Sequence, residues 1–164
     1  MSIRPKLLPL AELIPQIQRL KSEGKRIVLT NGIFDLLHPG HVRYLRQAKA
    51  LGEVLIVGVN GDASARRLKG KDRPWMTAAD RAEVVAALES VDYVVAFEED
   101  TAEALVDALQ PHIYVKGGDY TMESLPEARA VERAGGQVVI LPLSEGYSTS
   151  ALIERIAQRI RKST

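Results

Sequence analysis

The sequence specifies an α/β domain with a single doubly wound, five-stranded parallel sheet. Three observations carry that reading. Apolar residues alternate five times between short Val- and Ile-rich runs and stretches at helical spacing. Four of the five runs lack the polar alternation of a half-solvated sheet, as strands covered on both faces do. The chain, at 164 residues, is long enough for one core that buries roughly 70% of its unfolded surface. Strands and helices alternating in this way join through right-handed crossovers into a parallel sheet.

Each element follows in order, within one domain spanning 1–164. Residues 1–24 form an N-terminal helical extension, with a helix near 10–22 that must hold Pro15 in its first turn or kink there. RIVLT (26–30) is the first strand, and a helix over 41–51 follows, with Pro39 at a first-turn position where its missing N–H costs nothing. VLIVGV (54–59) is the second strand. NGDASARRLKGKDRPWM (60–76) is the longest irregular stretch, with room for a short helix near Ala63 to Leu68. Thr77 and Asp80 read as a capping box opening a helix over 77–89. DYVVAF (92–97) precedes a helix over 101–109 capped by Asp100 or Thr101, and HIYVKG (112–117) precedes one over about 125–134 that Gly135-Gly136 stops. QVVIL (137–141) is the last strand, and a final helix begins at 149.

Composition removes several function classes. With 22 Lys and Arg against 21 Asp and Glu, a net charge of +1 supplies no global field for nucleic acid or an anionic membrane, so any anion site is local. The absence of cysteine excludes disulfides and thiolate metal sites and fits a reducing compartment. No apolar stretch approaches 18 residues, and the start, MSIRPKLLPLAELIPQ, has no signal-peptide core. The expectation is a cytoplasmic protein acting on small molecules.

In an open parallel sheet, ligands sit beyond the carboxyl ends of the strands, near the point where strand order reverses. The unusual residues all follow strands: NGIFDLLHPGH the first, NGD and the basic stretch the second, FEED the third, KGGDY the fourth, SEGYSTS the fifth. A fold needs short turns at that edge, but not histidines, lysines and paired glycines at each. His38 and His41 project from one face of the turn that Pro39 opens, beside the free N–H groups of a helix N-terminus, and Gly40 lets an anion approach the backbone. Imidazole donors there stabilise charge building on phosphorus during displacement. A packed pair or a two-ligand metal site uses the same spacing, but no third ligand of suitable type lies nearby. Gly118 and Asp119, beside Lys116 and Gly117, are expected to touch a nucleotide.

GIFDLLHPGH resembles the signature of the HxGH nucleotidyltransferases, in their cytidylyltransferase-like branch, which implies a Rossmann-like nucleotidyltransferase fold. RLKGKDRP, FEEDT, VKGGDY and EGYSTS are similar, in order and spacing, to the heptose 1-phosphate adenylyltransferases, over residues from about 10 to 160. That resemblance implies transfer of AMP from ATP, with Mg2+ on the triphosphate, to D-glycero-D-manno-heptose 1-phosphate. The products are ADP-heptose, for lipopolysaccharide core biosynthesis, and pyrophosphate. It further implies a stand-alone form without a kinase half, and a homodimer.

Residue by residue, the resemblance makes His38, His41 and Lys71 catalytic. Ile33, Phe34, Asp35, Gly40, Ser148, Thr149 and Ser150 join Gly118 and Asp119 as nucleotide-binding, with Asp35 holding its turn, and Lys69 and Arg81 bind substrate, with Arg81 supporting the basic loop. No protein side chain is assigned to a metal. Where the cytidylyltransferases carry Arg-Thr before Glu-Gly, this chain has Leu143-Ser144, so one triphosphate-binding guanidinium is missing. Glu98, Glu99 and Asp100 read as a solvated capping turn, Arg66 and Arg67 as a solvated helix face, and Tyr44, Leu45 and Ala48 as core. Trp75 and Tyr120 suit either stacking on a ligand or closing over the core.

The alternatives are a CTP-dependent cytidylyltransferase acting on a polyol phosphate such as glycerol 3-phosphate, and a nucleotide-binding sensor domain without catalysis. A dinucleotide oxidoreductase is excluded, since no GxGxxG follows the first strand. The lysine-bearing stretch at 66–75 is expected to be mobile until an anion fixes it, then to close over the triphosphate.

Overall fold

The computed structural model describes residues 5–164, so the first four residues of the expected N-terminal extension lie outside it. The chain runs α1 (Leu10–Ser22), β1 (Ile27–Gly32), α2 (Pro39–Lys49), β2 (Val54–Asn60), α3 (Asp62–Lys69), α4 (Ala78–Ala86), β3 (Tyr93–Phe97), α5 (Glu103–Leu109), β4 (Ile113–Gly117), α6 (Ala128–Arg133), β5 (Gln137–Leu141) and α7 (Thr149–Lys162). Among the described residues the five strands form one parallel sheet in the order β3-β2-β1-β4-β5. Strand order reverses between β1 and β4, which opens a crevice at their carboxyl ends.

Alternation along each strand feeds two cores. Ile27 and Leu29 of β1 point to the side covered by Leu13 and Ile17 of α1, Leu105 and Val106 of α5, and Val131 of α6. Val28 points to the other side, where Leu45 and Ala48 of α2 and Ala82 and Val85 of α4 lie. The apolar positions of α1 recur at helical spacing, Leu13, Ile17 and Leu20, and each is buried. Pro15 lies past the first turn of α1, so the chain accommodates it inside the helix.

Two local expectations are corrected by tertiary contacts. The N-cap of α5 is Ala102, not Asp100 or Thr101, and its amide is taken at 3.0 Å by the Glu127 side chain, 25 residues later. Thr77 Oγ1 accepts the Asp80 amide at 3.2 Å, which is one half of the expected box. The last strand is a half-buried edge of the sheet, with no strand on its outer side among the described residues. The opposite edge is protected: the Val94 amide donates to Lys6 O at 2.8 Å and the Leu8 amide to Val94 O at 3.1 Å.

Candidate active site

β1 delivers the chain to the crevice and ends at Gly32. The turn that follows places Phe34 and Leu36 at φ 53° and 55°, left-handed values that non-glycine residues rarely adopt. Contacts made by Asp35 hold it there. The Asp35 carboxylate, 2% exposed, accepts from the Trp75 amide at 2.7 Å, the Met76 amide at 3.1 Å and Arg73 Nε at 3.3 Å. Its carbonyl accepts from the Thr149 hydroxyl at 2.9 Å. Asp35 therefore ties the β1 turn, the basic segment and the start of α7 together. It acts as a clamp on the turn, and it also lines the cleft in which the resemblance implies a nucleotide.

Arg81 supports the same loops, as the resemblance implies. It is 1% exposed, and its guanidinium donates to Ile33 O (2.7 Å), Asn60 O (2.8 Å), Met76 O (2.9 Å) and Asp62 (2.8 Å). Those donors gather the loops after β1 and β2. Only a planar fork matches so many diverging carbonyls from one buried point.

The two histidines form a reciprocal cap at the start of α2. His38 Nδ1 accepts the Gly40 amide at 3.1 Å, and His41 Nδ1 accepts the His38 amide at 3.2 Å. The ring centroids lie 3.9 Å apart. A Cβ on residue 40 would stand 2.8 Å from His38 Cε1 and 2.9 Å from Tyr147 Cβ, so Gly40 is what lets the ring fold back. The Gly40 amide expected to be free for an anion is thus occupied by His38. In exchange, an imidazole whose Nδ1 accepts a hydrogen bond carries its own hydrogen on Nε2. Both residues line the cleft. Burial pushes the His41 pKa down to about 4, with the neighbouring His38 adding to the effect, and burial lowers His38 as well. Neutral donors are therefore the resting state at pH 7.

Facing them, Ser148 caps α7 by accepting the Ala151 amide at 3.0 Å. Thr149 and Ser150 occupy the first two positions of α7, where no carbonyl lies a turn before them, so their amides stay available. All three residues line the cleft, which encloses about 690 Å³ and is also walled by Ile33, Phe34 and Gly40. Tyr44 lines it too: its hydroxyl lies 2.6 Å from that of the buried Thr30, and it also donates to Val115 O at 3.2 Å. Burial pushes the Tyr44 phenol up to about 12, against the smaller opposing effect of its bond to Thr30. Tyr44 thus belongs to the cleft as well as the core.

The basic segment divides. Lys69, at the end of α3, lines the cleft; Lys71 is exposed beyond Gly70 and does not. Gly70 turns the chain at φ 114°, and Asp35 then draws Arg73 into the cleft instead. Arg73 thus joins Lys69 as a cation of this segment in the cleft wall. Sequence spacing marked the cluster but not which member Asp35 selects. The KGGDY turn divides likewise. Lys116, Gly117 and Tyr120 line the cleft, with Lys116 Nζ 5.4 Å from the centre of the Tyr120 ring. Gly118, at φ 111°, donates its amide to Leu141 O at 3.0 Å, and Asp119 is exposed beyond it. Neither Gly118 nor Asp119 forms part of the wall. Leu143 also lines the cleft, 67% exposed, where the related motif carries arginine. Trp75 is 57% exposed. Sequence reasoning also missed Tyr147, whose ring lies 6.2 Å from His38 at 20° and carries Arg43 at 4.9 Å on it.

Residues 29–155 match the family model described as cytidylyltransferase-like. The chain is 52% identical over 143 residues to the bifunctional protein HldE of Pelobacter propionicus, covering 87% of this chain and 29% of that one. It is 52% identical over 145 residues to the bifunctional protein HldE of Nitrosococcus oceani, covering 88% and 31%. The chain thus spans about three tenths of the length of these curated relatives. Among solved structures, the lipopolysaccharide core biosynthesis protein from Thermoplasma volcanium GSS1 superposes with a TM-score of 0.61 at 29% identity, covering 76% of this chain and all of that one.

Proposed function

This chain belongs to the cytidylyltransferase-like family, and on that footing we propose that it transfers AMP from ATP to a heptose 1-phosphate, giving ADP-heptose and pyrophosphate for lipopolysaccharide core biosynthesis. The observation that carries the reaction class is the reciprocal histidine cap: two neutral imidazoles with their hydrogens on Nε2 line the same cleft as the open N-terminus of α7. The phosphate oxygen of the sugar attacks the α-phosphorus in line, a P–O bond forms, and the bond to the β-phosphate breaks with its electron pair leaving on pyrophosphate. His38 and His41 donate to the oxygens on which charge accumulates, and no protein nucleophile is required. Thr149 and Ser150 amides hold the outgoing phosphates, and Lys69 with Arg73 neutralises charge from the other side. Magnesium enters as part of the nucleotide substrate, on the triphosphate oxygens.

The heptose and adenine assignments are supported by the relatives named HldE and by the lipopolysaccharide core biosynthesis title of the structural neighbour. A homodimer, free of nucleic acid and membrane and working in the cytoplasm, completes the reading. The apolar residues Ile156 and Ile160 of α7, 48% and 62% exposed, support a protein contact there, which sedimentation velocity tests. Among the described residues no helix is long and apolar enough to cross a membrane.

Pyrophosphate release, measured with each nucleoside triphosphate against a panel of sugar and polyol phosphates, decides the reaction. ATP with a heptose 1-phosphate is expected to be the best pair. CTP with glycerol 3-phosphate as the best pair would establish the cytidylyltransferase instead, and binding without release would leave a sensor domain.

A further inference from the structure

Four aromatic rings neighbour one another in series at the mouth of α2. The Phe34 ring lies 5.7 Å from His41 at 57°, His41 lies 3.9 Å from His38 at 33°, and His38 lies 6.2 Å from Tyr147 at 20°. The two histidines differ in what flanks them. His41 has His38 and the buried Phe34 as its ring neighbours. His38 has His41 and, brought in from far along the chain, Tyr147. Among the described residues the His38 side chain makes one hydrogen bond, accepting the Gly40 amide on Nδ1 at 3.1 Å. An imidazole turns easily about its last bond, so that contact alone leaves the ring free to turn over and set a carbon before the amide. A flat neighbour restricts that freedom.

Tyr147 is itself closely placed. Its amide donates to Ser144 O at 3.4 Å, and Ser148 beside it is the N-cap of α7. A Cβ on residue 40 would stand 2.9 Å from Tyr147 Cβ, so the tyrosine stem lies against the backbone that His38 caps. The Arg43 guanidinium sits 4.9 Å from the centre of the Tyr147 ring, as a cation over an aromatic face. Among the described residues the Tyr147 hydroxyl has no hydrogen-bond partner, so ring and stem make the contacts that fix it.

From this arrangement we infer that Tyr147 is a positioning residue, whose ring holds the His38 imidazole in the orientation that keeps Nδ1 on the Gly40 amide and the hydrogen on Nε2. The inference rests on the nucleotidyltransferase reading, in which that hydrogen meets phosphate oxygens. It adds that the loop before α7 prepares the donor at the start of α2. Ring pairs attract at centroid separations of roughly 4.5–7 Å, and the His38 contact at 6.2 Å falls within that span.

The test compares wild type with Tyr147→Leu, which keeps apolar bulk but loses the flat face, and Tyr147→Phe, which loses only the hydroxyl. NMR spectra of the imidazole nitrogens read the tautomer without turnover. Wild type is expected to hold His38 in the Nε2–H tautomer alone, with Overhauser contacts between its ring and that of Tyr147. The absence of either overturns the inference before any variant is made. In Tyr147→Leu, His38 is expected to populate both tautomers, and kcat for pyrophosphate release to fall about 10-fold while both KM values stay within about 2-fold, as when a donor acting on the transition state is loosened. Tyr147→Phe is expected to restore the single tautomer and kcat. A Phe variant as impaired as Leu would assign the hydroxyl to substrate and overturn the inference, as would a Leu variant with its tautomer or its kcat unchanged. Should wild type release pyrophosphate with no nucleotide and phosphate pair, the spectra still decide the role of Tyr147, and the transferase reading alone falls.

Discussion

Replacing Arg81 separates a substrate ligand from a hub that holds the site together. In Arg81→Met, three carbonyls lose their donor: Ile33 O at 2.7 Å, Asn60 O at 2.8 Å and Met76 O at 2.9 Å. The Asp62 carboxylate, whose side chain is 38% exposed, recovers water and adds little. An orphaned buried acceptor costs about 1–3 kcal/mol. Only the Asn60 bond is fully enclosed, and those to Ile33 and Met76 lie nearer solvent, so the sum comes to about 4 kcal/mol. That is a large fraction of an ordinary domain's stability of about 5–15 kcal/mol. Arg81→Lys tests geometry: one ammonium reaches at most two of these acceptors from a single point, so it restores less than half of the loss. Urea unfolding of wild type, Arg81→Met and Arg81→Lys, compared at equal m, measures both. A Lys variant as stable as wild type, with only the KM for one phosphate substrate raised, would return Arg81 to the substrate and refute the reasoning.

Other outcomes follow from the same geometry. His41→Ala removes a preorganised donor and should lower kcat by about 100-fold or more while KM changes less, read by steady-state pyrophosphate release; an unchanged kcat removes His41 from the mechanism. The pH dependence has a definite sign. Folding lowers the His41 pKa from its ordinary 6.5 to about 4, so the unfolded chain binds the extra proton first. The stability from this residue is fully present above about pH 6.5, falls as pH drops towards 4 and levels off below. Chemical denaturation from pH 8 to 4 should show that slope in wild type and a shallower one in His41→Asn. Asp35→Ala releases the Trp75 and Met76 amides and Arg73 together, so hydrogen exchange over 73–76 should rise by about 10-fold or more while strand amides stay protected. Under saturating ATP and sugar phosphate, exchange over 66–72 should fall in wild type. Unchanged exchange there would make that segment a passive connection.

Much of this was legible in the chain. Five apolar runs at the right spacing determine five parallel strands, because a strand buried on both faces admits little else, and the periodicity of the helices between them is local in the same sense. The HPGH spacing determines that two imidazoles share one helical turn, and a glycine between them is required wherever a ring folds back on that turn. Those features depend on neighbours a few residues apart. Long-range partners decided the rest. That Arg73 lines the cleft was decided by Asp35, about forty residues upstream, which pairs with its guanidinium. The resemblance marks Arg81, but only the fold shows that Ile33, Asn60 and Met76 converge on it, and Ala102 is capped by a residue from a different loop. Spacing along the chain cannot encode such pairings, because buried donors and acceptors find each other only once the sheet has brought their loops to one edge.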